Sequence, residues 1–227
     1  MSHSLSWYAV RGKTPQQLRD ELGLEASGER EPFAESPLVG IQLPGDWYAI
    51  VANRHAVFGI SPDEVRLSAR CDLVACFFEE HVMCSSVEQW IDGHKVWSVL
   101  HDSGCGILHL KTEGKLPCDY GVIINRLIAE QKDAAAQANV DFAFDIPLEL
   151  AKKLTGFRHD ESTVDRFEVL NVKAGIATGA GFRIRRAMAG ILGTLTLASA
   201  AAVLLLGIGV ALFGVLALIV TILQRLL

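Results

Sequence analysis

The sequence predicts an α+β domain, with a largely antiparallel sheet and helices on one face, followed by a C-terminal transmembrane helical segment. Two observations carry this prediction. The first 172 residues contain short stretches of alternating apolar and polar residues, separated by hairpin turns and a few capped helices. The stretch Ala187–Leu223 then contains no charged residue, although 21% of the whole chain is charged.

The N-terminal elements follow from local signals. Residues 5–10 alternate and predict a strand. Thr14 and Gln17 have the spacing of a capping box, and Gly23 stands where a helix would end, so a short helix is predicted between them. The polar stretch Glu25–Pro37, which contains two prolines, predicts a loop.

The next elements are a hairpin, a helix and a buried strand. Leu38–Val51 alternates on both sides of the turn residues Pro44-Gly45-Asp46, which predicts a hairpin. Ser61, followed by proline and two acidic residues, predicts the start of a second helix. The apolar run Asp72–Phe78 predicts a central strand.

A meander of three or four antiparallel strands is predicted in the middle of the chain. Asp92-Gly93 is a strong signal for a tight hairpin turn. Strands are predicted at Lys95–His101 and Ile107–Thr112, on either side of a second turn at Asp102–Gly104.

Two helices and a last strand complete the predicted domain. Asp119 is the predicted cap of a helix that extends to about Ala138. Asp145 is the predicted cap of a shorter helix that Gly156 ends. Phe167–Val172 is the predicted last strand.

The chain therefore divides into three parts. Residues 1–172 form the predicted soluble domain, residues 173–186 a Gly-rich linker with a basic membrane flank, and residues 187–223 the transmembrane segment. The last part is 37 residues long, and a bilayer core needs only about 20 apolar residues in a helix.

Two arrangements of this apolar stretch are open. A helical hairpin, which we favour, would pair Ala187–Leu205 with Val210–Leu223 through a turn at Gly207–Gly209. A single pass would instead span the membrane with Ala198–Leu223 and leave the upstream residues at the interface. The basic residues at its two ends predict a cytoplasmic location for the soluble domain; they are Arg183, Arg185, Arg186 and Arg225.

Charge and cysteine content limit the classes of partner. Before Ala187 the chain has 20 basic and 26 acidic residues, a net charge of −6, so we expect no nucleic-acid partner. The N-terminal residues Met1–Val10 do not resemble a signal peptide, and the count of five cysteines is odd. Both features favour a reducing compartment with free thiols.

Two sets of residues are candidates for a functional site. One set has Cys, His and Asp side chains of the kind that bind zinc or transfer protons; its members are His81, Cys84, His101, Asp102, Cys105 and His109. The other comprises tryptophans on predicted hairpins, which serve as interface anchors if exposed and as core if buried; they are Trp47, Trp90 and Trp97.

Three hypotheses for the function of the protein follow from the sequence. The first is a non-enzymatic, membrane-anchored cytoplasmic domain that binds a protein or small ligand and whose partners include the lipid bilayer. The second is a membrane-active effector whose apolar segment oligomerises and perturbs the bilayer. The third is a membrane-tethered enzyme that uses the histidines and carboxylates, although no phosphate loop, GxSxG or HExxH motif occurs. No cofactor is expected, zinc being the one candidate.

Overall fold

The computed structural model describes residues 4–53, 64–134, 140–161 and 166–174. Within these ranges nine strands form one sheet in which every neighbouring pair is antiparallel. The strands are β1 Ser4–Arg11, β2 Leu24–Glu31, β3 Leu38–Gln42, β4 Trp47–Asn53, β5 Asp72–Glu79, β6 Cys84–Ile91, β7 His94–Asp102, β8 Lys111–Gly114 and β9 Phe167–Val172. Their order across the sheet is β2-β9-β3-β4-β1-β5-β6-β7-β8.

The helices in the described ranges are α1 Pro15–Leu22, α2 Glu64–Leu67, α3 Tyr120–Ala134 and α4 Asp145–Thr155. A short 3-10 helix, Ser103–Cys105, follows β7. The predicted antiparallel sheet with a few helices is therefore confirmed.

The helices cover both faces of the sheet, not one face as predicted. The α3 and α4 helices pack on the face that carries Trp7 and Ala49, whereas α1 packs on the opposite face, against Ile50 and Leu73. The reason lies in the central strands. Residues 47–52 of β4 are all buried, so this strand presents apolar side chains on both faces and both must be covered.

The α1 helix forms as its sequence predicts. The Thr14 hydroxyl accepts a hydrogen bond from the backbone N–H of Gln17, and the Gln17 side chain accepts one from the Thr14 N–H. Gly23 ends the helix at φ 68°, a left-handed conformation that suits glycine. Leu18 and Leu22 are buried against the sheet, which leaves Arg19 beside them on the same helix.

The predicted loop Glu25–Pro37 is wrong over its first half, because Leu24–Glu31 is the edge strand β2. This strand pairs with β9, which lies far away along the chain. Its side chains are nearly all exposed, so it shows no apolar alternation to mark it as a strand.

The meander is confirmed except for its last strand. Asp92 and Gly93 both adopt positive φ, 45° and 78°, as the predicted hairpin turn requires. The last strand is Lys111–Gly114 instead of Ile107–Thr112. Two successive turns form before it, since Gly106 N–H bonds to the Ser103 carbonyl and His109 N–H to the Gly106 carbonyl.

In the C-terminal part of the domain, the predicted N-terminal cap of α4 is wrong. Asp145 is the first residue of α4, not its cap; the capping position is Phe144, which makes no side-chain cap bond. The Asp145 carboxylate is instead paired with Arg158. Gly156, at φ 76°, ends α4 as predicted, and β9 has the predicted bounds.

Several predictions fall outside the described residues. They concern the helix start at Ser61, the end of α3 near Ala138, the linker beyond residue 174 and the apolar stretch with its flanking arginines. Among the helices that the structure describes, none has the length and apolar character needed to cross a membrane.

The antiparallel order gives the sheet two distinct ends. The strands β4, β5, β7 and β9 run in the same direction and finish at one end, which we call the exit end because β9 is the last strand that the structure describes. The strands β1, β2, β3 and β6 finish at the other end, which we call the pocket end.

Candidate functional site

His101 is the most completely enclosed member of the predicted Cys–His–Asp set. Its ring is fully buried, with Nε2 2.9 Å from Asp141 Oδ2 and Nδ1 2.8 Å from the backbone carbonyl oxygen of His109. Asp141 Oδ1 accepts a second bond from the Phe144 N–H at the start of α4. With both ring nitrogens engaged, His101 joins β7 to the segment before α4 and has no nitrogen left for a metal or a substrate.

Apart from the His109 carbonyl, no other member of this set, all of them described residues, bonds to His101, although Cys105 Sγ lies 3.7 Å from Asp102 Oδ2. His81 is exposed in the turn between β5 and β6, and Cys105 is exposed after the 3-10 helix that Asp102 caps. Cys84 is buried, and burial raises the pKa of its thiol to about 11, so the thiolate that would bind zinc is disfavoured. Within the described ranges, no three His, Cys, Asp or Glu side chains are grouped to hold a metal ion.

The three tryptophans occupy different environments. Trp47 and Trp97 lie in the hydrophobic core, 3% and 1% exposed. Trp97 donates through Nε1 to Gln89 Oε1 at 2.7 Å, which satisfies its only polar atom. Trp90 is half-buried and donates to Glu88 at 3.0 Å. Of the three, only Trp90 has surface to offer a partner.

A pocket that the sequence did not predict lies at the pocket end of the sheet, on the face covered by α1. Its volume is about 330 Å³, at the lower bound of about 300 Å³ typical of small-ligand sites. One wall comes from α1 and the others from β2, β3, β4 and the start of β9. Its polar lining consists of Arg19, Arg30, Gln42, Tyr48, Arg166 and Glu168; we call it the arginine pocket.

Arg19 is held in the pocket wall by three neighbours. Its Nη1 lies 2.6 Å from Glu168 Oε2 and 3.3 Å from the Tyr48 hydroxyl, and its Nη2 donates to Gln16 at 3.0 Å. The side chain is 12% exposed. Its Nε is buried and has no hydrogen-bond partner among the described residues. The guanidinium is thus fixed in place, and its Nε–H is unused.

Tyr48 and Gly40 shape the floor of the pocket. The Tyr48 hydroxyl donates to Glu168 Oε2 at 2.9 Å, and burial raises the pKa of Tyr48, so the phenol stays protonated. The ring crosses the neighbouring strand above Gly40: a Cβ on this residue would lie 2.0 Å from the Tyr48 oxygen. Only glycine at this position lets Tyr48 reach Glu168.

The remaining two arginines make the pocket positively charged. Arg30 and Arg166 form no ion pair with any residue in the described part of the chain. The described lining of the pocket therefore contains three arginines and a single carboxylate, Glu168, which is already paired with Arg19. Arginine presents several N–H donors in a plane, an arrangement that fits the oxygens of carboxylate and phosphate groups.

The arginine pocket has no signature in the sequence, for identifiable reasons. Arg19, Arg30 and Arg166 form no motif, and the first and last are separated by most of the domain. Arg30 lies on the strand that the polar composition predicted as a loop. A usable signal would have been a pairing of β2 with β9, because it places Arg30 opposite Glu168.

Comparisons with protein families, with curated proteins and with solved structures found no match to this chain.

Proposed function

We propose that this chain is a membrane-anchored cytoplasmic domain that binds a small anionic ligand in the arginine pocket without converting it. The observation that carries the ligand class is the excess of three arginines over one carboxylate around a pocket of about 330 Å³. A domain whose net charge is −6 gains nothing in fold stability from placing unpaired cations together, so the cluster favours a binding role.

The favoured ligand carries a carboxylate or a phosphate group. Arg30 and Arg166 are exposed, line the pocket and form no ion pair with a described residue, so their guanidinium groups are available to an anion. Each hydrogen bond from a charged donor to an ionic ligand contributes about 1.5–3 kcal/mol, so an arginine pair provides appreciable affinity for a small anion.

Binding without turnover is supported by the groups in the pocket. The phenol of Tyr48 is held protonated by burial, and the Glu168 carboxylate accepts bonds from both Tyr48 and Arg19. Both groups are thus occupied in holding the pocket wall together. No His or Cys side chain is among the described residues that line the pocket.

Membrane anchoring is supported by the sequence. The charge-free stretch Ala187–Leu223 exceeds the length of one crossing, and basic residues flank both of its ends. We expect the full-length protein to remain in the membrane pellet after alkaline carbonate washing. Recovery of the folded protein in the supernatant would contradict the anchor without bearing on the pocket.

The pocket is tested by ligand-induced stabilisation of the full-length protein in detergent. Inorganic phosphate and citrate should raise the thermal midpoint more than sodium chloride of equal ionic strength, because a ligand that binds only the folded state stabilises it. Arg30→Gln and Arg166→Gln should each weaken the response about tenfold or more in ligand concentration, as expected for losing a charged hydrogen bond.

A matched control is Arg66→Gln, since Arg66 is exposed on α2 and does not line the pocket. It removes the same charge from the domain and should leave the response unchanged. Equal responses of the wild type, Arg30→Gln and Arg66→Gln would show that the anions do not bind through Arg30 and would refute the pocket as their site.

A further inference from the structure

Three large aliphatic side chains are exposed on two loops at the exit end of the sheet. Val82, in the turn between β5 and β6, is 49% exposed; Ile107 and Leu108, between the 3-10 helix and β8, are 50% and 47% exposed. We call these three residues the loop patch. Exposed apolar residues that are grouped, unlike scattered ones, indicate a contact surface.

The two loops are joined by hydrogen bonds. The Ser103 hydroxyl donates to the Val82 carbonyl oxygen at 3.0 Å, and the Ser103 N–H donates to the Met83 carbonyl oxygen at 3.1 Å. The turn bond from His109 N–H to the Gly106 carbonyl oxygen, 2.9 Å, then holds Ile107 and Leu108 between its two ends. The patch is therefore presented by a hydrogen-bonded scaffold.

The loop patch lies at the end of the sheet where β9, the last strand that the structure describes, finishes. β5, β7 and β9 run in the same direction, so Glu79, Asp102 and Val172 finish at the same end. β9 and β7 are six positions apart in the sheet, which is about 29 Å at roughly 4.8 Å per strand. The 15 residues from Val172 to Ala187 span up to about 50 Å when extended. This length is enough for the loop patch to touch a membrane that the apolar stretch has entered.

We propose that the loop patch contacts the surface of the lipid bilayer, with Val82, Ile107 and Leu108 entering the interfacial region. This inference rests on the membrane anchor of the proposed function. The nearby charges, Glu79 and Asp102, are acidic and would repel anionic lipid, so the contact is driven by apolar burial into a zwitterionic surface.

This orientation would hold the arginine pocket away from the membrane. The pocket lies at the start of β9 and the loop patch at the end of the sheet where β9 finishes. A soluble anion would then reach Arg30 and Arg166 from the aqueous phase, without passing between the domain and the lipid.

The test is site-specific photocrosslinking of the full-length protein in vesicles of phosphatidylcholine. The photoreactive residue p-benzoylphenylalanine replaces Val82, Ile107 or Leu108, one at a time, and lipid adducts are measured by mass spectrometry. Two controls at the pocket end are Val65 and Ile91, whose side chains are 51% and 41% exposed. Gly93 lies close to Val65 and follows Ile91 across the turn, which places both controls at that end.

We expect lipid adducts at the loop patch at least tenfold more frequent than at Val65 and Ile91. A probe at Leu204, inside the apolar stretch, reports on the anchor. Adducts at Leu204 without adducts at the patch would overturn the contact and leave the anchor intact. Equal adducts at both ends of the sheet would overturn the orientation. No adduct at Leu204 would mean that the anchor itself is wrong, and this inference would fall with it.

Discussion

Replacing Gly40 with alanine should destabilise the domain by displacing Tyr48. The added Cβ would lie 2.0 Å from the Tyr48 oxygen and 2.8 Å from Cζ, distances that no packed structure tolerates. Gly40 is absent from the residues with positive φ, so alanine introduces no backbone strain there and the effect is steric. Tyr48 is 4% exposed and lines the arginine pocket, so any displacement disturbs the bond from its hydroxyl to Glu168.

The magnitude has two contributions. Overpacking of a filled core costs about 1–3 kcal/mol. A displaced Tyr48 also loses its 2.9 Å bond to the Glu168 carboxylate, at a cost of about 1.5–3 kcal/mol. Because the two partly overlap, we expect a loss of about 2–5 kcal/mol, equivalent to a fall of roughly 10 °C in the thermal midpoint for a domain of this size.

The assay is a thermal melt of the full-length protein in detergent, followed by tryptophan fluorescence. All four tryptophans precede residue 98, so the signal comes from the sheet domain alone. The control is Gly121→Ala on α3, where a Cβ would meet nothing within 4 Å. It should be neutral or stabilise by up to about 1 kcal/mol, as alanine does in a helix.

A double-mutant cycle identifies the cause. In a Tyr48→Leu background the clash is absent, so Gly40→Ala should cost about 1 kcal/mol or less, and the two substitutions should be strongly non-additive. If Gly40→Ala costs the same in both backgrounds, the contact between Gly40 and Tyr48 is not what requires glycine, and the reasoning fails.

Two further predictions concern ion pairs. The Arg158 side chain is 14% exposed and contacts Asp145 at 2.8 Å, together with two other carboxylates. Arg158→Met should therefore lower the free energy of unfolding in urea by about 2–4 kcal/mol, and Arg158→Lys should lower it less. An unchanged urea midpoint for Arg158→Met would contradict this. Hydrogen bonds from Lys95 and Lys111 hold the pKa of Glu113 at about 2, below its usual range. The stabilisation that ionised Glu113 gives the folded state is therefore complete above about pH 4.5 and is lost as pH falls toward 2. Since Glu113 is 44% exposed, Glu113→Gln should cost under about 1 kcal/mol of unfolding free energy at pH 7. The difference in stability between this variant and the wild type should vanish as pH falls from about 4.5 to 2.

The elements that were predicted correctly depend on contacts between residues close in the chain. The capping box of Thr14 and Gln17 closes over four residues, and the turn at Asp92-Gly93 needs only its own positive φ values. Such interactions form wherever the local sequence permits them, so their signals can be read without knowledge of the rest of the fold.

The elements that were missed depend on partners distant in the chain. β2 is a strand because β9 is available to pair with it, not because of its own polar residues. The placement of helices on two faces follows from the order of strands, which buries β4 on both sides. Propensity and alternation describe one segment at a time and contain no information on which segments become neighbours.

The sequence by itself determined the local elements, the acidic charge of the domain and the charge-free stretch that predicts a membrane anchor. Only the tertiary structure decided that His101 is a buried link to Asp141, and that Arg19, Arg30 and Arg166 surround one pocket. The physical reason is that binding sites require charges within a few ångströms of one another, and those distances are set by strand order and register. Neither quantity is encoded in the spacing of these three arginines along the chain.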